Sequence, residues 1–173
     1  MTRAVPVVVR GIREDEVDRL SAVTLDAYAG LDGIDVGEYR TTLADVADRA
    51  KRAVVLVAAE GDTVLGGVTY VPDATNPYAE FTDADAAGMR VLAVAPQAQG
   101  RGVGAALVRA CVQRAQHAGR RRLVLHTTEA MVAAQRLYER FGFERASWRD
   151  WRPQPHILLL GYERVLERRS VGA

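Results

Sequence analysis

Three glycines alternate with other residues, at positions 100, 102 and 104, within the stretch QAQGRGVGAAL, residues Gln97–Leu107. Glycine costs more backbone entropy than any other residue, so such a run indicates a loop with special geometry or a closely approaching partner. A β-rich run precedes the glycines, and a helix-forming run begins near Val103. The free N–H groups at the start of a helix attract anions, and glycines let a phosphate approach them. The pattern therefore predicts an anion site built on Gly100, Gly102 and Gly104, to which Arg101 adds a cation.

The glycines alone do not specify which anion binds. A P-loop ends in Gly-Lys-Ser/Thr, and this stretch lacks that ending. The dinucleotide fingerprint G-x-G-x-x-G does not match the spacing of residues 100–105. Two alternatives stay open at this point. One is a tight strand-to-helix connection without a ligand, and the other is a nucleotide-binding module that uses the same loop.

The elements around this loop predict an α/β domain with a mixed sheet, in the order βαα-ββ-βα-βα-ββ. Apolar residues recur at helical spacing in four segments, and Glu60-Gly61-Asp62 is typical of a hairpin turn. Gly119 and Gly142 are expected to end the last two helices. The predicted strands are Val5–Arg10, Val54–Ala59, Thr63–Val71, Met89–Ala95, Leu123–Thr127, Phe143–Trp151 and Ile157–Val165. The predicted helices are 14–27, 38–51, 103–117 and 131–140, with loops at 30–37 and 72–86.

Composition is that of an ordinary soluble globular chain, with 173 residues, 49% apolar residues and a formal net charge of +1. We expect one domain over 1–173, with its core at about 7–166 and a frayed tail at 167–173. The near-neutral charge argues against nucleic acid and membrane surfaces as partners. No secretory leader or membrane span is visible, so a cytoplasmic location is expected. Cys111 lies on the apolar side of a predicted helix, as a buried hydrophobe rather than a nucleophile.

Two motifs resemble the GCN5-related N-acetyltransferase family. Gln99-Gly100-Arg101-Gly102-Val103-Gly104 matches its Gln/Arg-x-x-Gly-x-Gly/Ala pattern, after a strand, RVLAVAPQAQ, similar to the family's fourth. Downstream, AAQRLYERFGF, Ala133–Phe143, is similar to A-x-x-L-Y-x-x-x-G-F. The resemblance covers about Val7–Leu166. It implies a mostly antiparallel sheet of about seven strands with about four helices, and a V-shaped splay between the fourth and fifth strands.

The resemblance implies acetyl-CoA as cosubstrate and no metal. The pyrophosphate is expected on the loop, and the pantetheine arm along the backbone of the fourth strand. Family members often carry an asparagine seven residues before the motif tyrosine, where this chain has Met131, whereas the motif's Ala134 is kept. The expected acetyl-CoA contacts are Leu92, Ala93, Val94, Gln99, Gly100, Arg101, Gly102, Val103, Gly104, Ala105 and Ala134.

Acetyl transfer to an amine needs a neutral amine, a stabilised oxyanion and a proton for the departing thiolate. By the resemblance, Tyr138 is the general acid to the thiolate, and the backbone N–H of Val94 binds the oxyanion. A buried core aromatic is the alternative reading of Tyr138, and both roles are compatible in one side chain. Direct attack in a ternary complex is expected, because Cys111 is not placed as a nucleophile.

The general base is less defined by the sequence. Many relatives carry a glutamate near the positions of Gly88 and Met89, and this chain has no acid there. His126 on the fifth strand is the candidate base, because imidazole titrates near neutrality. The alternatives are a structural histidine or an amine that arrives neutral. Further candidate bases are Glu80, Asp83, Asp85 and Glu129.

The acceptor site is expected to involve the loop 72–86 and the connection around SWRDWRP. The loop carries four acids with Tyr78 and Phe81, which suits a cationic amine, or else it is a solvated loop. The two tryptophans, Trp148 and Trp151, suit either a pocket wall or a homodimer interface. Arg145, Arg149 and Arg152 would instead suit an acidic substrate.

The function predicted from these features is acetyl-CoA-dependent N-acetyl transfer to a small-molecule or peptide amine. A non-catalytic CoA-binding regulatory domain of the same fold is the alternative.

Overall fold

The computed structural model describes residues 6–31, 37 and 39–167, and these contain eight strands and five α-helices. The strands are β1 (Val7–Gly11), β2 (Val54–Glu60), β3 (Thr63–Val71), β4 (Ala86–Val94), β5 (Arg122–Thr127), β6 (Glu144–Arg145), β7 (Trp151–Gln154) and β8 (Ile157–Val165). The helices are α1 (Val17–Ala29), α2 (Tyr39–Ala44), α3 (Val46–Arg52), α4 (Val103–His117) and α5 (Val132–Arg140). Val5, most of the predicted loop 30–37, Glu38 and the predicted tail from 168 onwards lie outside the described residues.

The strands are hydrogen-bonded in the order β1-β2-β3-β4-β5-β8-β6, and β7 pairs with β8. β1 pairs antiparallel with β2, and β5, β6 and β7 each pair antiparallel with β8. β4 and β5 are parallel, and their pairing joins Ala86–Met89 to Arg122–Leu125 although both strands continue further. The mixed, mostly antiparallel sheet with a partial β4–β5 pairing confirms the predicted fold class, with one strand more than expected.

Contacts divide the chain into two compact units. The first holds the described residues up to Thr69 together with Val91–Leu107, and the second holds Tyr70–Arg90 together with the described residues from Val108 onwards. β3, β4 and α4 each run from one unit into the other. The single domain expected from chain length stays a prediction.

The core of the first unit forms where α1 and α3 pack against β2 and β3. Leu20 lies over Gly67, where an added Cβ would come within 2.6 Å of the leucine side chain. The absence of a side chain at Gly67 therefore lets α1 approach the sheet. The buried cluster consists of Leu20, Val46, Val55, Val57 and Val64.

The segment predicted as one helix over 38–51 is two helices, α2 and α3, separated at Asp45. Asp45 has φ −80° and ψ 59°, and its carboxylate accepts a hydrogen bond from the N–H of Asp48 at 3.1 Å. The buried Arg49 donates to the carbonyl of Leu43 at the end of α2, at 2.9 Å. These caps satisfy backbone groups that the break exposes, and helical periodicity alone does not reveal them.

The strand predicted over Phe143–Trp151 is also wrong. β6 ends at Arg145, the segment Ser147–Arg149 forms a 3-10 turn, and β7 follows. The N–H of Ala146 donates to the carbonyl of Gly161 at 2.8 Å. A Cβ at Gly161 would lie 2.4 Å from the Cβ of Arg149. The chain therefore turns across β8 at a glycine, and this tertiary contact interrupts the strand.

The other predicted boundaries agree more closely. The hairpin β2–β3 is found with its turn at Gly61, and α4 has the predicted bounds 103–117. Gly119 and Gly142 follow α4 and α5 with φ of 70° and 78°, as expected for helix-ending glycines. β4 begins three residues earlier than predicted, at Ala86.

A buried ion pair near the start of the chain makes a testable contribution to stability. Arg10 donates to both oxygens of Glu16 at 2.7 and 2.9 Å, and the N–H of Arg13 donates to the same carboxylate. These hydrogen bonds, that from Arg10 first, lower the pKa of Glu16 from 4.5 to about 2. Because the folded pKa is depressed, the stabilisation is fully present above pH 4.5 and is lost as the pH falls towards 2.

We therefore expect Glu16→Gln to lower the free energy of unfolding at pH 7 by about 1–3 kcal/mol. The difference from the unmodified chain should shrink as the pH falls below 4.5, because the unfolded chain takes up a proton there while the folded carboxylate stays charged until about pH 2. Urea unfolding at pH 7 and pH 3 measures this, with the exposed Glu14→Gln as the matched control. A pH-independent difference would contradict the assignment.

Candidate active site

The glycine loop between β4 and α4 adopts the left-handed backbone that its sequence favours. Gly100 and Gly102 have φ of 78° and 79°. A Cβ added at either would meet no atom within 4 Å. The glycines are thus required by backbone conformation, and their Cα faces are open. α4 begins directly after them at Val103, which is buried and anchors the helix start.

Arg101, predicted to add a cation to the loop, already has a partner. Its Nη2 donates to Oε1 of Glu60 at 2.7 Å, and both side chains are partly exposed. This pair ties the glycine loop to the end of β2. The other N–H groups of the guanidinium are the ones that could donate hydrogen bonds to an anion.

The last residues of β4 have an unusual backbone. Val91 has φ 52°, which is rare for a β-branched residue and costs about 1–3 kcal/mol. A Cβ at Gly66 on β3 would lie 2.5 Å from the carbonyl oxygen of Ala93. β4 therefore passes very close to β3 at Ala93. Leu92 and Val94, on either side of the buried Ala93, are partly exposed.

Tyr138 is the buried residue of α5. Its ring contacts Phe143 at a centroid distance of 5.9 Å and Tyr162 at 6.5 Å. Burial raises the pKa of Tyr138 well above its usual 10. The phenol therefore keeps its proton at neutral pH, so core packing and a proton-donor role are compatible here.

Cys111 on α4 is buried, as predicted. Burial raises the pKa of its thiol to about 12. The thiol is therefore protonated at neutral pH, whereas the thiolate is the nucleophilic form.

His126, the candidate base, has both ring nitrogens engaged. Nε2 lies 2.8 Å from the carbonyl oxygen of Arg149. Nδ1 lies 3.2 Å from Oε2 of Glu80, and the histidine side chain is only 4% exposed. The contact with Glu80, which joins β5 to the predicted acceptor loop, is one that the sequence could not show.

The acids of the loop 72–86 are paired with arginines rather than free. Sequence reasoning proposed them for a cationic acceptor, but their partners come from other segments of the same unit. The pairs are Asp73–Arg120 at 4.0 Å, Glu80–Arg90 at 2.9 Å, Asp83–Arg149 at 2.8 Å and Asp85–Arg122 at 3.3 Å. The carboxylates of this loop are therefore in ion pairs and do not form an open anionic surface.

The segment around SWRDWRP has mixed roles. Arg149, proposed for an acidic substrate, binds Asp83 through two hydrogen bonds and Glu163 through a third. Arg145 binds Asp150 at 2.7 Å. Trp148 is 72% exposed and Trp151 41% exposed. The arginines thus serve the fold, whereas the tryptophans are open to solvent.

A small cavity lies in the second unit beside the paired ends of β4 and β5. Its volume of about 10 Å³ is room for about one water molecule. The side chain of Phe81 forms part of its wall because Gly88 leaves space for the ring, where a Cβ would lie 2.6 Å from Cε1. The lining is formed by Val71, Tyr78, Glu80, Phe81, Gly88, Met89, Arg90, Val124, Leu125 and His126.

The family model described as acetyltransferase (GNAT) family matches residues 23–143, which is more than half of the chain. The chain therefore belongs to the GNAT family and is an acetyltransferase. Among curated proteins, a search finds no match.

Solved structures share the fold over nearly the whole chain. A GCN5-related N-acetyltransferase from Kribbella flavida has a TM-score of 0.70 at 22% identity, covering 92% of this chain and 98% of its own. The ribosomal-protein-alanine N-acetyltransferase of Brucella melitensis has a TM-score of 0.66 at 22% identity, covering 92% and 99%. yncA from Salmonella typhimurium, solved with its cofactor acetyl-CoA, has a TM-score of 0.68 at 17% identity, covering 95% and 96%.

None of the helices within the described ranges combines the length and apolar content that crossing a membrane requires.

The contact between Gly88 and Phe81 generates a prediction. Gly88→Ala should displace the Phe81 ring and lower the free energy of unfolding by about 1–3 kcal/mol. Adding Phe81→Leu should recover part of that loss, because the smaller side chain makes room for the new methyl group. Denaturant unfolding of the two single variants and the double variant measures the coupling. Strictly additive losses would show that the two positions do not touch.

Proposed function

We propose that this acetyltransferase moves an acetyl group from acetyl-CoA to a primary amine by direct attack in a ternary complex. The observation that carries the proposal is the open, left-handed glycine loop immediately before α4, in a chain of the GNAT family. A loop of this kind presents backbone N–H groups to a phosphate without side chains in the way. The structure of yncA with acetyl-CoA supports the same choice of donor by analogy.

In this proposal the loop N–H groups hold the pyrophosphate, and the backbone of the last β4 residues pairs with the pantetheine arm. The residues present fit this task, because the Cα faces of Gly100 and Gly102 are open and Leu92 and Val94 are partly exposed. The full set proposed for acetyl-CoA is Leu92, Ala93, Val94, Gln99, Gly100, Arg101, Gly102, Val103, Gly104, Ala105 and Ala134.

The chemical step forms a bond between the amine nitrogen and the acetyl carbon and breaks the carbon–sulfur bond. The electron pair leaves with sulfur, and the phenol of Tyr138 gives a proton to the departing thiolate. The nitrogen of the tetrahedral intermediate loses a proton to solvent, and the phenolate of Tyr138 takes one back from solvent. The N–H of Val94 stabilises the oxyanion. The high pKa of Cys111 supports direct attack. A thiol with a pKa of about 12 is protonated at neutral pH and is a poor nucleophile for forming an acetyl-cysteine intermediate.

The acceptor amine is the open part of this function. The experiment that tests it is release of free CoA thiol from acetyl-CoA across a panel of aminoglycosides, polyamines, amino acids, and peptides with free N-termini or lysines. Turnover with one class names the acceptor. Acetyl-CoA binding without turnover on any amine would contradict the proposal and favour a CoA-binding regulatory role.

Substitution at the loop tests the placement of the pyrophosphate. Gly102→Glu should weaken acetyl-CoA binding by tenfold or more, about 1.4 kcal/mol, because it sets a carboxylate among the phosphate-binding N–H groups. Gly119→Glu is the matched control, since Gly119 also has positive φ and open space but lies beyond the other end of α4. Isothermal titration calorimetry with acetyl-CoA measures both. Equal affinities in the two variants would refute the placement.

Removal of one hydroxyl tests the general acid. Tyr138→Phe should lower kcat by about 10²-fold with little change in the KM for acetyl-CoA, because the ring still packs on Phe143 while the donated proton is lost. Tyr162→Phe removes the hydroxyl of the neighbouring ring and should leave kcat near its original value. Steady-state kinetics measure both. Undiminished kcat in Tyr138→Phe would return Tyr138 to core packing alone.

A further inference from the structure

The charged side chains that line the small cavity belong to a single connected group. Glu80 lies at its centre, with Arg90 on one carboxylate oxygen and His126 on the other. The exposed fractions of the Glu80 and His126 side chains are 15% and 4%. This group is therefore largely shielded from bulk water, where contacts between charges are stronger than at a surface.

The hydrogen bonds of His126 determine where its protons are. The carbonyl of Arg149 can only accept, so the 2.8 Å contact requires the hydrogen on Nε2. A neutral imidazole then presents a bare lone pair at Nδ1, facing Oε2 of Glu80 at 3.2 Å. That contact becomes a hydrogen bond only when the pair holds one further proton, on either atom. The geometry is that of a site built to take up a proton.

The same geometry shows which member of the pair faces a substrate. Both nitrogens of His126 are directed at protein atoms, so its one free lone pair, on Nδ1, faces Glu80 and is not available to an incoming amine. The carboxylate of Glu80 has about four lone-pair positions, of which Arg90 takes one, and His126 takes a second only when the pair shares a proton. Glu80 also lines the cavity beside Met89. Glu80 is therefore the member of the pair that keeps lone pairs for a water-sized donor such as an ammonium group.

Two further contacts hold Glu80 in place. Next to it, Phe81 packs into the space that Gly88 leaves free. Arg90 is fixed over the ring of Tyr78, 5.6 Å from its centroid, and donates to the Tyr78 carbonyl at 3.3 Å. The carboxylate thus has a defined position although it lies on a long loop.

We propose that Glu80 is the general base for the acceptor amine and that His126 is a positioning residue that receives the proton from it. This inference rests on the proposed function. The ammonium form of the acceptor gives one proton to the Glu80 carboxylate, which passes it from Oε2 to Nδ1 of His126. The neutral amine then attacks the acetyl carbon, and the thiolate leaves as described above. The imidazolium returns its proton to solvent after the product departs.

Few other charges influence this pair. Arg90 faces it from β4, and Arg149 and Asp150 face it from the segment between β6 and β7. The guanidinium groups stay charged, and the hydrogen bond from Arg145 keeps the pKa of Asp150 low.

The test uses the full chain and an amine acetylated by it in the panel, with kcat and kcat/KM measured from about pH 6 to 9.5. Glu80→Gln should lose about 10²–10⁴-fold in kcat at neutral pH and keep its affinity for acetyl-CoA. The loss should shrink as the pH approaches the pKa of the amine, because the amine then arrives neutral. Asp73→Asn makes the same chemical change in the same loop, away from the cavity, and should leave kcat unchanged.

The pair of variants at Glu80 and His126 separates the two roles. His126→Gln can still donate to the Arg149 carbonyl, so it should lose less activity than Glu80→Gln and alter the acidic limb of the pH profile. A greater loss in His126→Gln would make histidine the base and overturn the proposal. Full activity of Glu80→Gln across the pH range would also overturn it while leaving the proposed function intact.

Rescue provides a second readout that does not depend on how well Glu80→Gln folds. In Glu80→Ala, added formate should raise the rate in proportion to its concentration, whereas chloride at equal ionic strength should not. No rise with formate would overturn the proposal. If the unmodified chain acetylates no amine at all, the proposed function fails and this inference fails with it.

Discussion

Arg149 joins three distant parts of the chain through its guanidinium and its backbone carbonyl, and the candidate acceptor site depends on it. Its side chain binds Asp83 on the loop 72–86 and Glu163 on β8, and its carbonyl accepts from His126 on β5. It is only 10% exposed, so these charge-assisted hydrogen bonds form where water competes little. One residue in a 3-10 turn thereby sets both the position of the loop and the orientation of the histidine. The interruption of the strand predicted over Phe143–Trp151 is the structural condition for this arrangement.

Pairing of the loop acids changes what kind of acceptor the site suits. A row of free carboxylates would select polycations through their charge alone. Here each acid has an arginine partner, so charge alone does not mark the loop as a site for polycations. Trp148 and Trp151 lie on either side of Arg149 in the sequence, and both expose apolar surface to solvent.

Glycines are needed in this chain for two different reasons, positive φ and the close approach of another segment. Only the first reason can be inferred from the sequence. Gly100 and Gly102 are needed for positive φ, and their crowding along the chain before a helix already indicates an anion loop. Gly88 and Gly161 are needed because another segment approaches closely. Nothing in their local sequence marks them, since the approaching groups, Phe81 and Arg149, come from elsewhere in the fold.

Features that depend on local geometry were determined by the sequence alone. The bounds of α4, the β2–β3 hairpin and the glycine loop follow from periodicity and from residues that tolerate positive φ, and the two motifs identify the family. Contacts over long sequence separations were decided only by the tertiary structure. Arg149 forms an ion pair with Asp83, which lies 66 positions away in the sequence. His126 on β5 contacts Glu80, which lies on the loop 72–86. Such pairings arise because packing brings strand ends and loops together. The sequence around a charged residue does not indicate which residue of opposite charge will be its partner.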